Sequence, residues 1–469
     1  MLTYKGENIL EKLVKKSFLL HFLYQGVIIY KKQKKGNKMN DVFSIKEYSF
    51  PKGFEWGSST AGHQIEGDNV NSGHWDREQT LLKENPNYEV SGKACNSYEM
   101  YEEDIKLLKE LGHGVYRMSI EWSRIEPNEG EWNKDAVEHY VKQLSRLKEE
   151  GIKVFLTLSH FTVPAWLAKR GTFQTLENVD CFLKFVEFIV PKIAQYVDRW
   201  NVLNEFNGGM AETNKRHKFN CTIAHAKAYG IIKKYSNKPV STAHAYMDFF
   251  PVRRKDKFDN ALADYYDAFC NEFFFHAIRT GELVMEGIDG IYDKEIKNSL
   301  DFWSINLYDR KMRDARRKGI RGRRYDATYT PMIDYPFYLD EFYPEIMVHA
   351  LTRLSDKPIF ISENGCSADD DRFRIVYITE YLSALSQAIK MGAEVEGYCY
   401  WSLLDNYEWN SFKPRFGLVN VDRENGFKRT IKPSGYFLKE IIQNNGFKPE
   451  MLKKYLTELP KVTYSPNQV

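Results

Sequence analysis

A length of 469 residues would ordinarily suggest about three domains, but α/β barrels of this size fold as one unit, and one domain is the preferred reading. The formal charge of +3 comes from residues 1–38, where nine lysines face Glu7 and Glu11; that segment's +7 leaves −4 for the rest, excluding an electrostatic case for nucleic acid. Six scattered cysteines without a CxxC pair or metal-ligand spacing exclude structural disulfides and a zinc site, and they point to a reducing, cytoplasmic compartment.

The first 38 residues read as a poorly ordered Lys-rich extension or a misplaced translation start, with Met39 as the natural beginning. Residues 17–30 are apolar, but a spanning helix needs about 20 apolar residues. That stretch is shorter, contains His21 and Gln25, and has no small-residue cleavage site after it, so a membrane anchor is the minority reading.

From residue 48 onward short apolar runs alternate with longer amphipathic stretches, as in a parallel sheet covered by helices. Strands are predicted over 54–59, 115–120, 153–158, 199–204, 240–245, 301–306, 358–362 and 397–402. Helical periodicity lies between them, for instance over 101–111, 134–150, 179–196 and 375–391. Eight strands separated by helices predict an α/β fold, a (β/α)8 TIM barrel over 39–469, with reactive side chains at the C-terminal strand ends. Composition assigns no element to the Arg- and Lys-rich segment 310–329.

Two of these strands end in glutamates. The fourth runs into Asn204-Glu205-Phe206 and the seventh into Glu363-Asn364-Gly365. Burying a lone carboxylate is costly, so a glutamate at a strand end normally faces a cleft where its charge has a partner or a task. Arg117, in the middle of an apolar strand, needs a buried anion, because a guanidinium cannot shed its charge.

These blocks resemble glycoside hydrolase family 1, the retaining β-glucosidase and β-galactosidase family, over roughly residues 48–447. The resemblance implies that Glu205 is the acid/base and Glu363 the nucleophile, with Phe206 where most members carry proline. It implies sugar-binding roles for Gln64, His160 and Asn204, although Phe161, Thr162 and Val163 replace the Trp-Asp-Leu that usually follows the histidine. In the block 301–308, Tyr308 matches the phenol that hydrogen-bonds the nucleophile, and Arg117 matches the arginine beside it, a contact that would favour the ionised carboxylate. In the block 400–409, Trp401 offers a ring to the sugar's C–H face, Glu408 can accept two hydroxyl hydrogens, and Trp409 adds an indole donor.

The function so implied is double displacement on β-glucosides or related β-glycosides, with a small-molecule β-glycoside or oligosaccharide as partner and no cofactor or metal. Glu408 would repel a sugar 6-phosphate, and 413–416 lacks the tyrosine of the phospho-sugar branch, which favours unphosphorylated substrates. Two rival readings are a different two-glutamate barrel glycosidase, such as an endoglucanase, and a catalytically silent carbohydrate-binding relative. The choice among glucose, galactose and fucose, the aglycone and the oligomeric state are not encoded in any motif.

Overall fold

The computed structural model describes residues 42–208, 215–316 and 342–460. The expectation for residues 1–38 lies outside them. Among the described residues, no helix is long and apolar enough to cross a membrane.

Eight parallel strands close into a barrel in chain order: β1 (Glu55–Ser59), β2 (Val115–Ser119), β3 (Lys153–Ser159), β4 (Arg199–Asn204), β5 (Val240–Pro251), β6 (Trp303–Arg313), β7 (Ile359–Asn364) and β8 (Val395–Trp401). The strand pattern is thus that of a (β/α)8 TIM barrel. Closure comes from β8 pairing with β1, where Gly397 stands opposite Glu55 and Trp401 opposite Ser59. Near the strand starts, Val115, Phe155, Phe302, Phe360 and Cys399 meet in the interior as an apolar floor. That floor makes the barrel a packed core and leaves the opposite rim for polar side chains.

The surrounding helices form where sequence supplies caps and an apolar stripe. In α1 (Lys134–Glu149) the Asn133 side chain accepts from the backbone of Ala136, and Val137, Tyr140, Leu144 and Leu147 are buried at three- and four-residue spacing. Thr175 caps α2 (Leu176–Ile193) in the same way, and Asp370 caps α4 (Asp371–Lys390). Between these two, α3 (Phe273–Thr280) buries three consecutive phenylalanines, Phe273, Phe274 and Phe275.

Two strands exceed their predicted lengths by five residues or more. The expectation ended them at 245 and 306, whereas β5 and β6 continue beyond the rim and pair as far as Pro251 with Arg313. The basic residues that hid this extension are stacked on rings: the Arg313 guanidinium lies 3.9 Å from the Tyr266 ring centre, and that of Arg310 lies 4.8 Å from Tyr343. Arginine on an aromatic face fits a strand that composition alone would call solvated.

Candidate active site

Strand β4 ends at Asn204 and delivers Glu205 at φ +46, a left-handed conformation that residues with side chains seldom adopt. Gly208 N–H closes this turn onto the Glu205 carbonyl at 2.9 Å. The Phe206 ring turns away into the core, 3% exposed and edge-on to Phe274 at 5.3 Å and Phe273 at 6.1 Å. On β7, Gly365 follows Glu363 and Asn364 for a steric reason. A Cβ there would stand 1.8 Å from the Trp401 carbonyl oxygen, so β7 and β8 reach this approach only with glycine.

Both oxygens of Glu363 receive donors. Arg117, wholly buried on β2, pairs with Oε1 through Nη1, and the Tyr308 hydroxyl donates to Oε2 at 2.7 Å. Burial first, then the Glu363 charge, hold the Tyr308 phenol well above its ordinary value, so it remains a donor. The second terminal nitrogen of Arg117 donates to Asn204 Oδ1 at 2.6 Å.

Glu205 stands in a different environment. Its Oε1 accepts from Asn306 Nδ2 at 2.7 Å. Burial and then the negative charge of Glu363 raise the Glu205 carboxyl to about 7, against the opposing pull of the Asn306 hydrogen bond and the Arg117 charge. A carboxyl with this value gives or takes a proton near neutral pH.

Around the carboxyls stand rings and amides. The Trp401 indole N–H donates to Glu408 Oε1 at 3.2 Å. The His160 ring lies nearly parallel to Trp401 at 5.8 Å and to Trp409 at 6.2 Å. His160 Nε2 is 3.2 Å from Asn204 Nδ2, and burial followed by the Arg117 charge holds the imidazole well below its usual value, hence neutral. Gln64 is fully buried; its Nε2 donates to Asn406 Oδ1 at 3.1 Å and to the Tyr407 carbonyl at 2.9 Å, while Oε1 has no partner among the described residues. A buried acceptor left over in this way suits a ligand hydroxyl.

The structure therefore brings all the sequence-predicted site residues into one connected patch at the C-terminal rim. It also adds two. Asn306 lies in the predicted sixth strand, where nothing in the sequence singles it out, because its contact with Glu205 crosses from one strand to another. Phe161, at φ +67 and 38% exposed, sets its ring edge-on to Trp409 at 5.1 Å and extends the aromatic wall.

A carboxylate held by two donors, a carboxyl raised to about 7, an apolar ring face and buried acceptors together suit acid/base chemistry on a polyhydroxylated ring. Comparison with known proteins agrees. Residues 46–447 match the family model described as glycosyl hydrolase family 1. The chain is 29% identical to β-glucosidase A of Acetivibrio thermocellus, covering 86% of this chain and 100% of that one. It is 28% identical to the 6-phospho-β-glucosidase GmuD of Bacillus subtilis, over 86% of this chain and 99% of that one. Among solved structures, a β-glycosidase from Pyrococcus horikoshii superposes with a TM-score of 0.75 at 31% identity, covering 87% of this chain and 98% of that one.

Proposed function

The chain belongs to glycosyl hydrolase family 1 and is an O-glycosyl hydrolase of the β-glucosidase kind; on that premise we propose that it hydrolyses unphosphorylated β-glucosides or related β-glycosides with retention. The observation that carries the reading is the unequal pair of carboxyls: Glu363 fixed by Arg117 and Tyr308, Glu205 raised to about 7 beside it.

In the first step Glu363 attacks the anomeric carbon, the bond to the leaving oxygen breaks, and the Glu205 proton passes to that oxygen. The Glu363 charge is then lost in the ester, which removes one of the two causes that raise Glu205 and lets it act as a base. Water adds to the anomeric carbon, gives its proton to Glu205, and releases Glu363. Retention of this kind calls for carboxyls about 5–5.5 Å apart.

Supporting the unphosphorylated class, Glu408 is buried beside Trp401, where an ionised carboxylate accepts hydroxyl hydrogens and repels phosphate. The cations of the loop that follows, Lys413 and Arg415, are exposed, and Arg415 faces Asp369 at 3.8 Å. A panel of 4-nitrophenyl β-glucoside, β-galactoside, β-fucoside and β-glucoside 6-phosphate tests the reading, with the first-formed anomer followed by NMR. Turnover of unphosphorylated sugars with the β-anomer appearing first is expected. Turnover of the 6-phosphate alone overturns the substrate class, and an α-anomer first overturns double displacement.

A further inference from the structure

Beneath the sugar-facing residues lies a buried carboxylate outside the catalytic scheme. Glu121, just past the end of β2, is 1% exposed and accepts hydrogen bonds from three separate segments. Its Oε1 accepts from the backbone N–H of His63 at 2.9 Å. Its Oε2 accepts from Asn69 Nδ2 at 2.8 Å and from the Thr162 hydroxyl at 2.7 Å. Among the described residues no salt bridge reaches it, and these buried neutral donors hold the carboxyl group in place.

The three contacts fall beside the groups read as sugar-binding. His63 precedes Gln64 in a turn that also places the Gly62 N–H on Ser119 Oγ at 2.8 Å. A Cβ on Gly62 would stand 2.6 Å from Glu121 Oε1, so the absence of a side chain there lets the carboxylate reach the turn. Thr162 closes the tight turn that carries His160 and Phe161, with its N–H on the His160 carbonyl at 2.8 Å. Asn69, the third partner, also lies 3.2 Å from His63 Nδ1, and Ser123 Oγ secures its other end at 2.7 Å. One carboxylate just past the second strand thus fastens the turns after the first and third.

We propose that Glu121 is a positioning residue that holds Gln64 and His160 in one frame, supplying from strand two the carboxylate that the family's His-Trp-Asp-Leu-Pro block carries on strand three, where this chain has Thr162. The relocation accounts for one departure from the family pattern: Thr162 stands where the family has the acid, and its hydroxyl donates to Glu121. The inference rests on the proposed sugar-binding roles of Gln64 and His160.

Steady-state kinetics on 4-nitrophenyl β-glucoside, with melting temperature measured on each variant, test it. Glu121→Gln brings an amide N–H₂ against donors, loosens both turns, and is expected to raise KM and lower kcat/KM by about 10- to 100-fold. Thr162→Val, which removes only a hydroxyl, is expected to move the same parameters less and keeps the test decisive if the first variant does not fold. The double variant Glu121→Ser with Thr162→Asp returns the acid to strand three and is expected to recover most of the kcat/KM lost in Glu121→Ser alone. Gln64→Ala separates the two layers. If it leaves kcat/KM unchanged, the sugar-binding reading fails. If it lowers kcat/KM while Thr162→Val and Glu121→Gln change only the melting temperature, or the double variant is no better than Glu121→Ser, positioning by Glu121 is overturned.

Discussion

Asn306 Nδ2 lies 2.7 Å from Glu205 Oε1, and the backbone of Asn306 pairs with that of Glu363 across β6 and β7. Its hydrogen bond favours the ionised form of Glu205 and holds the carboxyl below the value that burial alone would set. In Asn306→Ala that restraint is gone. If Glu205 must be protonated for the first step, the alkaline limb of the kcat/KM profile lies near the Glu205 value of about 7 and moves to higher pH in the variant. A pH profile of both proteins checks this; an unmoved or downward-moved limb separates that limb from Glu205.

Replacing the carboxyls themselves should divide their tasks. Glu363→Gln is expected to abolish turnover. Glu205→Gln is expected to slow alkyl glycosides by about 10²- to 10⁴-fold and to spare the first step on dinitrophenyl glycosides, whose leaving group needs no proton. Single-turnover kinetics on both substrate classes measure the split, and equal losses would contradict the acid assignment.

Phe206 is where the sequence departs most visibly from the family motif, and its ring lies in the core against α3. Phe206→Ala should cost roughly 3–5 kcal/mol of stability through the cavity left beside Phe273 and Phe274. Because the same ring anchors the turn that holds Glu205 at φ +46, turnover per folded molecule should fall as well. Thermal melting and active-site-titrated turnover on one preparation check both. Stability lost with turnover intact would leave Phe206 as packing alone.

Stability against pH follows from the buried and half-buried histidines. His74, His113 and His244 are lowered to about 3, and His139, His217 and His225 to about 4, chiefly by burial. His160 is lowered as well. Below about 6.5 the unfolded chain binds protons on these rings that the folded protein refuses, so stability is present above that pH and is lost as pH falls toward 4. Glu66, Glu205 and Glu380, raised to about 7, act in the opposite sense between about 4.5 and 7, but they are fewer. The melting temperature is therefore expected to climb from pH 4.5 to 6.5 and then level off. A fall across that interval would show that the carboxyls dominate.

The barrel was legible because each strand is a short apolar run bounded by helical periodicity; 199–204 was predicted to the residue. The two glutamates were legible because a charge at the end of such a run stands out. What sequence did not show was whatever depends on two distant segments meeting. Asn306 and Glu121 look like ordinary polar residues until Glu205 and Thr162 arrive beside them. The outer half of β6 escaped for a related reason, since Arg310 and Arg313 signal solvent until the rings of Tyr343 and Tyr266 cover them.

The pairing of β8 with β1 also sets an order of events during synthesis. Gly397–Trp401 must find Glu55–Ser59 across most of the described chain, and a contact of such sequence separation forms late. Both glutamates are synthesised before that seam can close, but Gln64 on one side of it meets Asn406 and Tyr407 on the other only afterwards. A nascent chain therefore carries the two carboxyls proposed as catalytic for a time without the wall proposed to hold a sugar against them. Under the proposed mechanism, hydrolytic competence arrives with the last strand.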